Sequence, residues 1–288
     1  MLHRLGSLRP LWLLALWTAF APGAAARELR FGITPVLGSA AMHQDFDPLA
    51  QYLTQALGRV VVLEVTPDYG ALRTRMDQGE VDIGSFSPFA YVEAAADGRV
   101  RIIAQSLIDG VAWYRGIIVV RRDSGLDGVG DLRGKRFAYV DPQSASGYVY
   151  PRALLIDRGV NPAHFFARTF FAGDHSRVIA AVLQGRADGG ATYDNALRIA
   201  EAAGLPAHEL KVILETDPIP HDAIAVRAGL DPGLTQRLLA ALLAVNHTPE
   251  GRRVIALNKK GLTGFAAADD ATFDVVRRVA REAGVIGR

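Results

Sequence analysis

Two stretches of the sequence, 68–84 and 174–190, match one another at a constant offset of 106 residues without a gap. Asp, Gln, Gly, Asp and Gly recur at identical places, with apolar residues at helical spacing between them. Each copy is typical of a helix ended by glycine, a turn containing Asp, and a buried strand. A frequent α/β connection would give the same pattern without any internal repeat. Whether the match is an internal repeat or a frequent connection, two similar α/β units predict two lobes of similar build.

Short apolar strands alternate with helical patterns along the rest of the chain, which predicts an α/β fold with mostly parallel sheets flanked by helices. The predicted strands are 29–33, 60–65, 102–104, 116–120, 137–140, 212–214 and 223–226. The predicted helices outside the repeat include 48–57, 234–245, 249–257 and 271–283. At 288 residues, half of them apolar, the chain is long enough for two domains.

The first 26 residues have the pattern of a targeting segment and not that of a folded domain. Arg4 and Arg9 precede an eleven-residue apolar stretch, 11–21, and three alanines, 24–26, offer a cleavage site. This arrangement predicts a secretory signal peptide that is too short to span a bilayer. We therefore expect a soluble, secreted protein, most simply in a periplasm.

Charge and cysteine content exclude several classes of partner. The formal charge is +2, and removal of the leader with its two arginines brings it to about zero, so a nucleic-acid partner gains no support. The sequence contains no cysteine, which excludes disulfides, thiolate metal sites and a lipid-modified cysteine. The seven histidines are scattered, and we predict neither a metal nor a cofactor.

The stretch DPQSASGYVYP, 141–151, joins a predicted strand to a predicted helix. Pro151 is tolerated only in the first turn, so the helix begins near Ser146 or Gly147. A helix start has free N–H groups and a partial positive charge, and two serines with a glycine that permits close approach suit an oxyanion. The alternative is that Ser146 is an ordinary N-cap.

Two similar lobes favour a ligand cleft at the carboxyl ends of the strands. The repeat places Tyr69 and His175 at equivalent positions, each just before a helix, so that they could face each other across that cleft.

Several motifs together resemble the periplasmic phosphate, phosphite and phosphonate binding proteins of ABC importers, over almost the whole mature chain. The motifs are Asp68-Tyr69, 82–91 (DIGSFSPFAY), 139–151 (YVDPQSASGYVYP), Gly173-Asp174-His175, 185–188 (GRAD) and 219–222 (IPHD). The turn Ser-x-Ser-Gly combined with the downstream Gly-x-His is the specific part.

The resemblance implies a two-lobed type II periplasmic binding protein fold with two crossing strands as its hinge, near 117–120 and 223–226. Lobe 1 would comprise 27–116 and 224–288, and lobe 2 would comprise 117–223. The implied partner is an ABC permease in the inner membrane, with the binding protein acting as a monomer.

The resemblance also implies ligand roles. The turn of Ser144, Ala145, Ser146 and Gly147, together with His175, would hold the phosphorus oxygens. The first-lobe candidates that close over the ligand are Tyr69 and Tyr91. Asp222 matches an acidic position that meets the amine of aminoalkyl phosphonates, and Asp194 lies at a plausible neighbouring position.

Ala145 departs from the family pattern, because relatives usually have threonine there. The loss of a hydroxyl that binds a charged ligand costs about 1.5 to 3 kcal/mol, or the space could admit a different oxyanion.

Two alternatives stand beside this interpretation. The residue types of a hydrolytic triad are present, but no Gly-x-Ser-x-Gly elbow accompanies them, so we predict no catalysis. A ligand-sensing partner of a membrane receptor or kinase would need the same fold and the same closure around a small oxyanion.

Overall fold

The computed structural model of the protein describes residues 27–258 and 261–287. The predicted signal peptide lies outside these residues. No helix within them is both long enough and apolar enough to cross a membrane. The chain forms two β-sheets with flanking helices, which is the predicted α/β architecture.

The first sheet has six strands within the described residues. They are β1 (Leu29–Ile33), β2 (Val61–Val65), β3 (Ile83–Phe86), β4 (Val100–Ile108), β10 (Ala223–Arg227) and β11 (Leu262–Ala267). Their order across the sheet is β11-β4-β10-β3-β1-β2. The strand β1 runs parallel to β2 and β3, whereas β10 runs antiparallel to both of its neighbours.

The second sheet has five strands within the described residues. They are β5 (Trp113–Arg121), β6 (Arg136–Tyr139), β7 (Arg168–Phe171), β8 (Gly189–Tyr193) and β9 (Leu210–Pro220), in the order β7-β6-β8-β5-β9. The strand β6 is parallel to β7 and β8, and β5 is antiparallel to β8 and β9. Each sheet thus contains parallel strands and one internal strand of opposite direction.

Helices cover both sheets. They are α1 (Ser39–Leu57), α2 (Tyr69–Asp77), α3 (Pro88–Ala95), α4 (Tyr150–Asp157), α5 (Pro162–Phe165), α6 (His175–Leu183), α7 (Ala196–Ala202), α8 (Pro232–Ala244), α9 (Pro249–Leu257) and α10 (Asp274–Glu282). The predicted helix 271–283 begins with a 3-10 turn, Asp270–Phe273, before α10.

The two copies of the repeat adopt the same structure. The helices α2 and α6 begin at Tyr69 and His175, one residue after an Asp whose carboxylate accepts a 2.8 Å hydrogen bond from the third helical N–H. Gly79 and Gly185 follow the helices with left-handed φ angles of 70° and 65°. The sequence match therefore reports a shared supersecondary unit.

The second Asp of each copy joins neighbouring strands rather than facing a ligand. Asp82 accepts a hydrogen bond from the Arg30 N–H at 3.1 Å, and Asp188 accepts one from the Arg136 N–H at 2.8 Å. In the strand that follows, a side chain at Gly190 would place its Cβ 2.6 Å from a methyl group of Val178 on α6. The glycine permits close packing of this helix on the sheet.

The helix α1 differs from the prediction, because it begins at Ser39 and contains Pro48 in its interior. Met42 and Phe46 extend the buried face that Leu49 and Leu53 form, at helical spacing. Burial of these large side chains outweighs the hydrogen bond that the proline removes.

The chain crosses between the sheets a few residues away from the predicted hinge. The segment 117–120 lies inside β5, fully buried and paired on both sides, and 223–226 lies inside β10. The crossings are 109–112 and 221–222. The first is a tight turn in which Asp109 and Gly110 have φ angles of 50° and 78°. This pair suits a type I′ turn, which the sequence Asp-Gly favours.

Candidate functional site

The candidate site is a cavity of about 390 Å³ whose lining residues come from both sheets and from both crossings. The first-lobe side contributes Tyr69 at the start of α2 and Ser87 before α3. The second-lobe side contributes Ser144, Ser146 and His175. The structure therefore brings the two repeat positions, Tyr69 and His175, to one cavity, as the sequence predicted.

The turn 145–149 is a wide helical turn in which the N–H of Val149 reaches back five residues to the Ser144 carbonyl at 3.1 Å. Such π-type turns occur often at functional sites. Ser144 Oγ accepts a 3.0 Å hydrogen bond from the Gly147 N–H, so Ser144 is the N-cap. The alternative that Ser146 is the cap is therefore wrong, and Ser146 lines the cavity instead.

The side chain of Ala145 is fully buried and does not line the cavity. A hydroxyl at this position would face the protein interior in the present arrangement, so position 145 can offer a ligand its N–H group only. In this arrangement, the departure from threonine therefore neither removes a side-chain contact to the ligand nor enlarges the cavity.

The structure shows why position 147 requires a glycine, which the sequence did not reveal. A Cβ at this position would lie 2.4 Å from a methyl group of Val140 and 2.8 Å from Ser144 Oγ. Gly147 is absent from the cavity lining. Close packing of the turn on Val140, the residue after β6, is a sufficient reason for this glycine, and ligand approach at this position stays a prediction.

The imidazole of His175 is buried and held from two sides. Its Nδ1 lies 2.9 Å from Thr192 Oγ1, and its ring packs edge-on against Tyr193 with centroids 4.7 Å apart. The His175 N–H also donates to the Val36 carbonyl at 3.4 Å, which joins the two lobes. The ring is therefore oriented before any ligand arrives.

The Tyr69 side chain is 1% exposed, and its hydroxyl has no hydrogen-bond partner among the described residues. Burial, followed by the negative charges of Asp222 and Asp141, raises the pKa of Tyr69 well above its ordinary value, while the Ser144 hydroxyl partly offsets this. The phenol stays neutral and can donate a hydrogen bond. An unpaired buried donor normally indicates a missing partner.

The sequence analysis missed Tyr114 and Tyr193, which also line the cavity. Tyr114 stacks on His221 with centroids 4.9 Å apart, and burial raises its pKa, with Asp222 adding to the effect. The Tyr193 hydroxyl, like that of Tyr69, has no partner among the described residues. The position of Tyr114 just after the Asp-Gly turn could have indicated a residue at the crossing.

Three carboxylates line the cavity, and no lysine or arginine does so within the described residues. Asp222 lies on the second crossing, and its charge acts on all three cavity tyrosines. Asp194 follows β8, and its carboxylate accepts a 3.0 Å hydrogen bond from the Arg115 N–H. Asp109 lies in the first crossing. The three carboxylates can accept hydrogen bonds from a positively charged group of a ligand.

Tyr91 lies outside the cavity. Its hydroxyl donates to Asp270 Oδ1 at 2.7 Å, and its ring packs against Phe273 with centroids 4.9 Å apart. Tyr91 is buried in α3, where it secures the segment that leads into α10. Sequence reasoning could not separate it from Tyr69, because both follow first-lobe strands.

A family model described as the periplasmic substrate-binding protein of a phosphonate ABC transporter matches residues 31–273. The chain belongs to this family. It is 30% identical over 216 residues to the phosphate-import protein PhnD of Mycolicibacterium smegmatis, covering 71% of this chain and 67% of that protein. It is 26% identical over 274 residues to the phosphonates-binding periplasmic protein of Escherichia coli, covering 92% and 80%.

The fold of the family agrees with this assignment. The structure of a binding protein component of an ABC phosphonate transporter from Pseudomonas aeruginosa superimposes with a TM-score of 0.83 and 25% identity, covering 89% of this chain and 86% of that one. The two-lobed type II architecture predicted from the sequence is thereby confirmed. Membership of a transporter family also favours import over the sensory alternative.

Proposed function

We propose that the protein captures a phosphorus oxyanion, as a phosphonate, phosphate or phosphite, in the cavity between its lobes and delivers it to an ABC permease. The oxygens bind the hydroxyls of Ser144 and Ser146, the N–H groups of Ala145 and Ser146, and the imidazole of His175. The Tyr69 hydroxyl donates from the opposite lobe. The protein acts as a periplasmic monomer without catalysis.

The observation that carries this proposal is the unpartnered Tyr69 hydroxyl. It is buried in a cavity whose other wall holds Ser144, Ser146 and His175. Leaving a buried donor unpaired costs about 1 to 3 kcal/mol, and a ligand oxygen would recover this free energy. The same ligand would contact both lobes, which is the condition under which binding favours a closed form.

Two contacts between the lobes support closure around the ligand. The His175 N–H donates to the Val36 carbonyl, and Ser87 Oγ donates to the Gln143 carbonyl at 3.2 Å. Micromolar affinity corresponds to about −8 kcal/mol, which a few charge-assisted hydrogen bonds can supply after the cost of closure.

The carboxylates of Asp222 and Asp194 favour a ligand that carries a positive charge beside its oxyanion. The amine of an aminoalkyl phosphonate would gain a Coulombic attraction to these carboxylates that phosphate lacks. We therefore propose that a zwitterionic phosphonate binds more tightly than phosphate.

Calorimetry of the mature chain, stripped of carried-over ligand, tests the proposal. The panel is phosphate, phosphite, methylphosphonate, aminoethylphosphonate and sulfate. We expect binding of at least one phosphorus oxyanion, and a loss of roughly tenfold or more in affinity for Tyr69→Phe, which removes only the hydroxyl. Tyr91→Phe is the matched control with unchanged affinity. The absence of binding to every phosphorus compound would refute the ligand class.

A further inference from the structure

The two ends of the cavity differ in exposure. The lining residues Tyr69, Ser144, Ser146 and His175 are all 3% exposed or less. At the other end, Val111 and Trp113 are 52% and 43% exposed although both line the same cavity. Large apolar side chains that stay exposed together at a cavity mark a surface that a ligand covers. The cavity is therefore buried at the proposed oxyanion end and open at an apolar mouth.

The cavity is larger than a small phosphonate requires. At about 30 Å³ for each water-sized group, 390 Å³ holds roughly thirteen non-hydrogen atoms. Methylphosphonate has only about five, so it would fill the buried end and leave the mouth uncovered. A ligand that fills the cavity carries a substituent of about six to eight atoms that extends towards Trp113.

The mouth combines apolar and negatively charged groups. Asp109 and Asp194 are exposed lining residues beside Val111 and Trp113. Asp109 and Val111 belong to one tight turn, closed by hydrogen bonds of 3.0 and 2.9 Å between Ile108 and Val111. Because this turn continues directly into β5, the carboxylate and the indole are held on one short, ordered segment.

A tryptophan beside carboxylates recognises a particular kind of cation. The indole face attracts a positive charge, and this attraction is strongest for Trp among the aromatic residues. The carboxylates at the mouth can bind any ammonium, but Val111 and its apolar neighbours Ile108 and Leu262 offer no acceptor to the N–H groups of a primary ammonium. A methylated ammonium has no N–H to satisfy and presents an apolar surface with a positive charge.

We propose that the natural ligand is a phosphorus oxyanion ester or phosphonate with a bulky quaternary ammonium substituent, which Trp113 and Asp109 bind at the cavity mouth. This inference rests on the proposed oxyanion site and adds the identity of the second half of the ligand. Phosphocholine, with about eleven non-hydrogen atoms, has the required charges and size.

Calorimetry with phosphocholine, methylphosphonate and aminoethylphosphonate tests the inference. We expect phosphocholine to bind most tightly of the three. Trp113→Ala should lower the ratio of phosphocholine to methylphosphonate affinity by roughly threefold to thirtyfold. Asp109→Asn should lower the same ratio, and asparagine tolerates the left-handed conformation of the turn. Phe171→Ala, which removes an aromatic side chain of similar exposure outside the cavity, is the control with an unchanged ratio.

The outcomes separate the two proposals. If methylphosphonate binds and phosphocholine binds no more tightly, the oxyanion site stands and the quaternary ammonium site is refuted. The same conclusion follows if Trp113→Ala weakens both ligands equally. If none of the three compounds binds, both proposals are refuted.

Discussion

Replacing Ser144 and Ser146 separately by alanine should have different consequences, although the two serines are two residues apart in the same turn. Ser144 Oγ accepts the hydrogen bond from the Gly147 N–H, so it holds the turn whether or not a ligand is present. Its hydroxyl hydrogen remains available to a ligand. Ser146 lines the cavity, is not the cap of the turn, and has its hydroxyl beside the Tyr114 phenol. We therefore expect Ser144→Ala to affect stability and binding, and Ser146→Ala to affect binding more than stability.

The size of the stability effect follows from the cap. Loss of a serine N-cap costs about 0.5 to 2 kcal/mol, and Ser144 is only 1% exposed, so the orphaned N–H cannot turn to water. A cost of about 2 kcal/mol lowers the Tm by roughly 4 to 8 °C in a chain of this length. For Ser146→Ala, the loss of one hydrogen bond to a charged ligand weakens the affinity by roughly tenfold to a hundredfold.

Thermal unfolding of the ligand-free variants measures the first effect, and calorimetry with the tightest phosphorus ligand measures the second. Ser144→Thr is a useful comparison, because threonine keeps a hydroxyl that can accept the hydrogen bond from the Gly147 N–H. Its Tm should lie closer to that of the unmodified protein. The reasoning is refuted if Ser146→Ala lowers the Tm as much as Ser144→Ala does while the affinity for the ligand stays normal.

Three further variants test other parts of the structure. Gly190→Ala should lower the free energy of unfolding by about 1 to 3 kcal/mol in urea, since the new Cβ collides with α6 and the backbone must move. Tyr91→Phe should cost about 1 to 2 kcal/mol by removing the hydrogen bond to Asp270. The hydrogen bond from Arg136 lowers the pKa of Asp188, so this pair stabilises the fold above the unfolded value of about 3.9 and loses its effect as the pH falls below it. Arg136→Met should therefore reduce the free energy of unfolding by less than about 1 kcal/mol at pH 7, with the difference from the unmodified protein vanishing in acid. A difference that grows as the pH falls would contradict this sign.

Local sequence patterns predicted the secondary structure well in segments whose apolar pattern alone is sufficient to specify a strand or a helix. The strand β1 and the helix α9 have the predicted bounds, because one apolar run or one apolar face with a clear cap is sufficient. The sequence predicts that α1 begins at Pro48, because helix propensity alone cannot weigh one missing hydrogen bond against the burial of Met42 and Phe46. The crossings lie a few residues from the predicted positions, because an apolar run such as 117–120 suits both a hinge strand and the centre of a sheet. Only its pairing with strands on both sides identifies it as the centre of a sheet.

The sequence by itself determined the two α/β units, their equivalence at an offset of 106 residues, and the serine turn, because each depends on spacing within one short segment. Only the tertiary structure decided which side chains face the cavity. It separated Tyr69, whose hydroxyl is left without a partner, from Tyr91, whose hydroxyl binds Asp270. It also brought Trp113 and Asp109 to the mouth. The physical reason is that a ligand site between lobes is made by contacts between residues far apart in sequence, and no local pattern encodes the direction in which a side chain points once the sheets have packed.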